Sequence, residues 1–365
     1  MKYPSKVGKK KEVFVIHIVR TWFNRYFSDP EAVLLFFVLM FGFGLVVLMG
    51  EILAPVLASI VIAYLLDWII VHLQPLKVPR LVAVILVFVG FLGLLLMSFL
   101  LLLPLLWKEV IALFSNLPAM LIRGQQLILE LVTRFPQFVT QEQVNTFSSQ
   151  LLTDAHNSAK TVLSVSWSSI TAIITAVVYL VLVPLLVFFF LKDRDKLVQW
   201  VVGFLPHKRG VLSQVSAEVN SQIGNYIRGK VVEILVVAIA TYGVFWYFNL
   251  QYAVLLAALV GISVLIPYVG AIVITIPVLL VSYFQWGWGS QFGYFTLVYL
   301  IVQGLDANIL VPLLFAEAVN LHPVAIVVAT LFFGGIWGFW GVFFAIPLAT
   351  LVKAVLNAWP KSPHK

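Results

Sequence analysis

Residues 252–284 and 322–357 are apolar runs of about 33 and 36 residues. As straight helices rising ~1.5 Å per residue they would reach ~50 Å, against a hydrocarbon core of ~30 Å. Neither fits as one perpendicular crossing, and each carries a break in its middle: Ile266-Pro267-Tyr268-Val269-Gly270 in the first, Gly334-Gly335-Ile336-Trp337-Gly338-Phe339-Trp340-Gly341 in the second. The halves, about 15 residues each, are too short to cross alone. Length therefore favours helical hairpins that enter and leave by one face over long broken spans, since irregular backbone at membrane depth must be buried in protein or line a cavity.

The rest of the chain is of the same kind. Hydrophobic residues make up 62% and charged residues 10% of the 365, with a mean hydropathy of +1.05, too little charge to cover a soluble surface. The predicted class is an all-α polytopic membrane protein with about eight membrane segments. Apolar runs at 32–49, 51–73 and 81–106 give three spans in 32–106, and 169–191 holds a fourth. Of the 23 Lys and Arg, seven lie in 1–31, two in 74–80, seven in 192–230 and three after residue 352. These segments can share one side, which the positive-inside rule makes cytoplasmic. Both termini, including the tail 358–365, are then cytoplasmic and 107–168 is extracytoplasmic. Span 231–248 next runs outward, hairpin 252–284 dips in from outside, span 292–314 runs inward and hairpin 322–357 dips in from inside. The last third, 231–357, thus reads as an inverted repeat of span plus re-entrant helical hairpin, a transport core in which broken helices meet near the midplane.

The N-terminal stretch VFVIHIVRTWFNRYF (13–27) reads as a basic helix lying on the membrane, with its aromatic rings at headgroup depth and its charges toward anionic lipid. Arg20 and Arg25 interrupt it too early for a signal peptide. In 107–135 the residues Trp107, Val110, Ile111, Phe114, Leu117 and Leu121 recur near helical spacing with Asn116, Arg123 and Gln126 opposite, and Thr140-Gln141-Glu142-Gln143 has the form of a capping box. Segment 107–168 fits an extracytoplasmic helical lid or oligomer contact and an ordinary solvated connector equally well. Segment 192–230 reads as a cytoplasmic amphipathic connector.

Catalytic and cofactor signatures are weak. The chain has no cysteine, which removes disulfides and thiolate metal sites, and its six histidines lack ligand spacing, so neither a metal nor a cofactor is expected. Gly224-Asn225-Tyr226-Ile227-Arg228-Gly229-Lys230-Val231 nearly spells a phosphate loop, but Val231 stands where a hydroxyl would bind magnesium and no strand precedes it. An Asp67/Asp306 aspartyl pair and a Ser263/His322 pair both lack the sequence context of intramembrane proteases. An enzyme is not expected. The net charge of +8 is distributed as membrane topology demands, with no indication of a nucleic-acid partner.

One span breaks the apolar pattern. Residues 292–314 carry Gln303, Asp306 and Asn308 in their middle. An ionisable group at bilayer depth costs about 2.5–3.5 kcal/mol or more unless it is paired or faces water. Gln303, Asp306 and Asn308, with Pro312 loosening the adjacent turn, are the candidate pathway residues. Asp67, Glu51, Lys230 and Glu233 read instead as boundary residues. Pro267, Tyr268 and Gly270 in one hairpin and Gly334, Gly335, Gly338 and Gly341 in the other are candidate gates. Small residues at such spacing also serve close helix packing.

The segments LDWIIVHLQPLKVPR (66–80), FFLKDRDKL (189–197), GNYIRGK (224–230), IPYVGAIVITIP (266–277), QGLDANILVP (303–312), LHPVAI (321–326) and FFGGIWGFWGVFFAIPLA (332–349) together resemble the autoinducer-2 exporter-like permeases, and among them the PerM-type permeases of Gram-negative bacteria. The resemblance spans residues 30–357. It implies an inner-membrane transporter, usually drawn with eight spans, forming a homo-oligomer with the pentamer as one candidate form. It also implies a range of substrates, since some relatives are described as exporting autoinducer-2 and others as sodium(lithium)/proton antiporters. Where the family commonly carries a glutamate and two asparagines, this chain has Asp306-Ala307-Asn308, a shorter acid and one amide fewer. The reading favoured is a permease for a small polar solute, coupled to a proton or sodium ion. A non-transporting oligomeric scaffold built on 107–168 is the alternative from another class.

Overall fold

A computed structural model describes residues 30–134, 170–203, 210–315 and 321–358, with isolated positions between 149 and 160. The surface helix expected at 13–27, the capping box at 140–143 and the tail after residue 358 lie outside the described residues. Every described element is helical. The helices are α1 Pro30–Leu73, α2 Arg80–Met97, α3 Leu103–Arg134, α4 Ile170–Lys192, α5 Arg194–Gly203, α6 Gly210–Tyr247, α7 Ala253–Ser263, α8 Val269–Trp286, α9 Ser290–Leu305, α10 Val311–Phe315 and α11 Pro323–Ala358. Among the described residues, six stretches are long and apolar enough to cross a membrane: Ile52–Leu76, Arg80–Gln126, Val215–Tyr247, Val269–Trp286, Ser290–Phe315 and Pro323–Asn357.

The chain divides into two compact units. One comprises Met1–Leu57, Asp193–Tyr226 and Glu317–Lys365, the other Ala58–Lys192 and Ile227–Ala316.

In the second unit, α2 passes into α3 through a widened π turn at Ser98–Leu102 without a break. The boundary expected at residue 107 is therefore no helix end. Asp67 pairs with Arg80, 3.9 Å away. Lys77 closes the short turn after Leu73 in a left-handed conformation, φ 63°.

The run 252–284 folds back on itself. Helix α7 ends at Ser263 and α8 starts at Val269, as Pro267 and a positive φ at Tyr268, 63°, demand. At the other end the Gln285 side chain accepts from the Gln251 amide at 2.8 Å and donates to the Asn249 carbonyl at 2.8 Å. The chain thus returns to the level from which it left, which defines a hairpin. Its arms are unequal, 11 and 18 residues, where equal halves were expected. Arm α7 lies directly on the backbone of α6: a methyl group on Gly261 would come within 2.7 Å of Ala238 Cβ.

An aromatic cluster with a fully buried centre locks α6, α8 and α9 together. Phe245, Phe295 and Tyr299 are inaccessible, with ring centroids 5.6 Å apart for Phe245–Phe295 and 5.2 Å for Trp286–Phe295. In lipid there is no hydrophobic drive between helices, so such pairs, worth about 0.5–1.5 kcal/mol each, hold by close contact and ring geometry.

In the first unit α1 is interrupted by one non-helical residue, Met49, where the sequence separates runs 32–49 and 51–73. Helix α11 opens at Pro323, whose missing N–H is no loss in a first turn, while His322 Nδ1 accepts from the Val324 amide at 3.2 Å. His322 is thus a helix cap. Gly338 breaks α11 with φ 57° and ψ −134°, a conformation open to glycine almost alone. The chain then doubles back, so that a methyl group on Gly341 would overlap the carbonyl oxygen of Phe333.

Candidate functional site

Asp306 lies where α9 ends and a π turn, Asp306–Leu310, begins. Pro312 follows within two residues. It has no N–H to donate, and its ring crowds the carbonyl four residues back, so a wider turn ahead of it relieves both problems. The Val311 amide reaches back five residues to the Asp306 carbonyl. This places the acid in a locally loosened helix, a geometry frequent at functional sites. Its Oδ1 is buried and forms no hydrogen bond with the described residues.

Gln303 sits one turn before Asp306, on the same face. Its amide donates to the Tyr299 hydroxyl at 3.0 Å, Tyr299 meets Thr275 Oγ1 at 3.1 Å, and Thr275 donates to the Ala271 carbonyl at 2.6 Å. Because Thr275 spends its proton on Ala271, Tyr299 must be the donor to Thr275. The result is a directed polar chain from α9 into α8. Asn308 is not part of it: its side chain is exposed and donates back to the Gly304 carbonyl at 2.8 Å, two positions round the helix from the acid.

Two further charges stand next to Asp306. Lys230 and Glu233 are 4% and 2% exposed, although the sequence reading placed them at a membrane boundary. Lys230 Nζ lies 2.7 Å from Glu233 Oε2 and donates to the Val264 carbonyl at 3.0 Å. It also stands 5.0 Å from the centre of the Phe315 ring. Phe315 reaches that place because residue 229 is glycine, where a methyl group would come within 2.9 Å of the ring. Asp306 is within electrostatic reach of both Lys230 and Glu233. The site thus joins one ammonium with two carboxylates at the junction of α6, the hairpin and the π turn. The near phosphate-loop motif contains this same Lys230, inside helix α6.

The two sets of candidate gate residues use one device. Gly270 opens α8 against the end of α7, and a methyl group there would overlap the Ser263 carbonyl oxygen. Gly341 does the same against Phe333. A methyl group on Gly334 would come within 2.8 Å of a Val342 methyl, whereas Gly335 and Gly338 have open space where a Cβ would stand. Tyr268 is exposed at the α7–α8 tip.

Sequence reasoning missed Lys230, Glu233, Tyr299 and Thr275. The signal available for the first pair was their spacing of three along a helix that continues as an apolar span. Tyr299 looked like one more membrane aromatic, and nothing in the sequence announces Thr275.

A model of the AI-2E transporter family matches residues 14–361. The chain is 47% identical over 346 residues to "Putative permease PerM" of Escherichia coli (strain K12), covering 95% of this chain and 98% of the relative. It is 27% identical over 290 residues to "Putative transport protein YueF" of Bacillus subtilis (strain 168), 78% of each chain. It is 25% identical over 359 residues to "Putative transport protein sll0063" of Synechocystis, 93% of this chain and 88% of the relative.

Proposed function

We propose that this chain, which belongs to the AI-2E transporter family, is a secondary transporter of a small polar solute, coupled to a proton or sodium gradient through Asp306. The observation that carries this reading is the Asp306 carboxylate, with a buried oxygen that forms no hydrogen bond with the described residues, in a π turn of an apolar helix. A group so placed exchanges a proton or cation at smaller structural cost than one locked by partners. The adjoining amide and hydroxyls of Gln303, Tyr299 and Thr275 carry no formal charge, which suits a hydroxyl-rich solute of the autoinducer-2 kind. The tips Pro267–Gly270 and Gly334–Gly341 act as gates. In this reading the protein sits in the bacterial inner membrane with eight membrane segments, both termini cytoplasmic and residues 231–357 as an inverted repeat. It works as a homo-oligomer.

Flux in sealed proteoliposomes tests this. Gradient-driven uptake of a member of a polar-solute panel is expected for the natural sequence. Asp306→Asn should lose the dependence on pH or sodium while keeping its oligomer size. Gradient-driven flux unchanged in Asp306→Asn returns the acid to a structural role, and no flux of any solute favours a scaffold.

A further inference from the structure

The α7–α8 hairpin is fastened differently at its two ends. At the base, Gln285 joins the Asn249–Gln251 turn, and α3 adds three contacts: Glu109 Oε2 accepts from the Leu255 amide at 2.6 Å, Asn116 donates to the Tyr252 hydroxyl at 2.7 Å, and Arg123 donates to the Phe284 carbonyl at 3.3 Å. At the tip the Val264 carbonyl, at the end of α7, accepts from Lys230 at 3.0 Å.

Lys230 is an unusual fastener. Its ammonium faces groups on several elements: Glu233 on its own helix, Val264 on the hairpin, the Phe315 ring on α10, and, electrostatically, Asp306 on the π turn. Arg228, two residues earlier, is turned to the Tyr64 ring instead. A carboxylate, a backbone carbonyl and an aromatic face are the surroundings that a bound cation takes. Here the cation is tethered to α6.

From this arrangement we propose that Lys230 is the positioning residue of the hairpin gate, an internal cation whose ammonium latches the α7–α8 tip to α6 through the Val264 carbonyl, with Glu233 holding it in place. The tip is released when Lys230 is withdrawn and stays shut while it is bound. The latch goes beyond the coupling role of Asp306 and does not rest on it, because its contacts involve Glu233 and Val264 directly.

The chain has no cysteine, so single reporters need no prior substitution. Val269→Cys reports the tip and Ser290→Cys the base, each read by its rate of reaction with N-ethylmaleimide, which is attacked only by a hydrated thiolate. Lys230→Met removes the ammonium. The double variant Lys230→Met/Glu233→Gln also removes the carboxylate that would otherwise be left buried and unpaired. The expected result is about tenfold faster labelling at position 269 in both, the scale set by losing a charge-assisted hydrogen bond from the closed form, with an unchanged rate at 290. Lys230→Arg should label near the natural rate. An unchanged rate at 269 in an assembled double variant, or equal acceleration at 269 and 290, overturns the latch. Failure of both methionine variants to assemble makes the pair a fold determinant and overturns it equally. The readout is labelling rather than flux, so the Asp306→Asn transport result and this one fail independently.

Discussion

The Gln285 side chain grips the turn at Asn249, its Nε2 2.8 Å from the Asn249 carbonyl oxygen, while its Oε1 takes the Gln251 amide. One amide group thereby joins positions 36 residues apart and holds the loop after Trp286 beside the loop after Tyr247. A chain that crossed once between them would separate the two by the full hydrocarbon thickness, ~30 Å.

Topology follows directly. Gln251→Cys and Ser290→Cys, both exposed, should react with an impermeant maleimide from the same side of intact cells or oriented vesicles. Reaction from opposite sides would remove the hairpin.

The glycines divide by what surrounds them. Gly270→Ala and Gly341→Ala push a methyl group into a backbone carbonyl oxygen and should each lower stability by about 1–3 kcal/mol. Gly338→Ala meets no neighbour but must hold φ 57°, at a cost of about 1–3 kcal/mol. Gly335→Ala and, in α2, Gly90→Ala meet open space and should stay within about 0.5 kcal/mol. Thermal unfolding in detergent ranks the five. Equal damage from Gly335→Ala and Gly341→Ala would contradict the close approach of Gly341 to Phe333.

Helix α7 takes its N-terminal cap from another helix. Tyr252 stands at the capping position in a left-handed conformation and its side chain makes no capping bond to the helix, and Glu109 supplies the missing acceptor at the Leu255 amide. Glu109→Ala should cost about 1–2 kcal/mol, the usual range for a lost cap with a charge near the positive end of the helix dipole. Glu109→Gln, which keeps an acceptor oxygen, should cost less. Reversible unfolding in detergent with increasing denaturant measures both, and equal costs would show that charge rather than capping dominates.

The polar chain through Tyr299 predicts coupling. Tyr299→Phe and Thr275→Val each leave a partner short of one bond and should destabilise by about 1–2 kcal/mol. The double variant should cost less than the two singles added, by about 0.5–1 kcal/mol, since both remove the same bond. Strict additivity would mean the 3.1 Å contact contributes nothing.

The hairpin was legible because length and Pro267 are properties of the chain itself: 33 apolar residues cannot cross ~30 Å once as a straight helix. Asp306 was legible for a similar reason, an acid in an apolar window, and Pro312 two residues past the turn announced its widening. The ion pair beneath it was not. Lys230 and Glu233 lie at the end of an apolar run, and sequence position alone makes such residues look interfacial. Burial came from the hairpin tip folding over them, a contact 34 residues away. The unequal arms of the hairpin were hidden too, because the break at 264–268 sits closer to one end of the apolar run than composition reveals.

Helix α3 offers the hairpin two opposite charges, Glu109 to the start of α7 and Arg123 to the last turn of α8. Each sits where the helix dipole favours it, so the two arms are held by one helical rod. A force applied to residues 103–134 is therefore carried straight into the hairpin's base as a turning moment. Binding to that rod, by lipid, by a neighbouring copy or by an engineered antibody, would be felt at the tip as leverage, and the stretch 103–134 is the handle through which the hairpin can be worked from outside it.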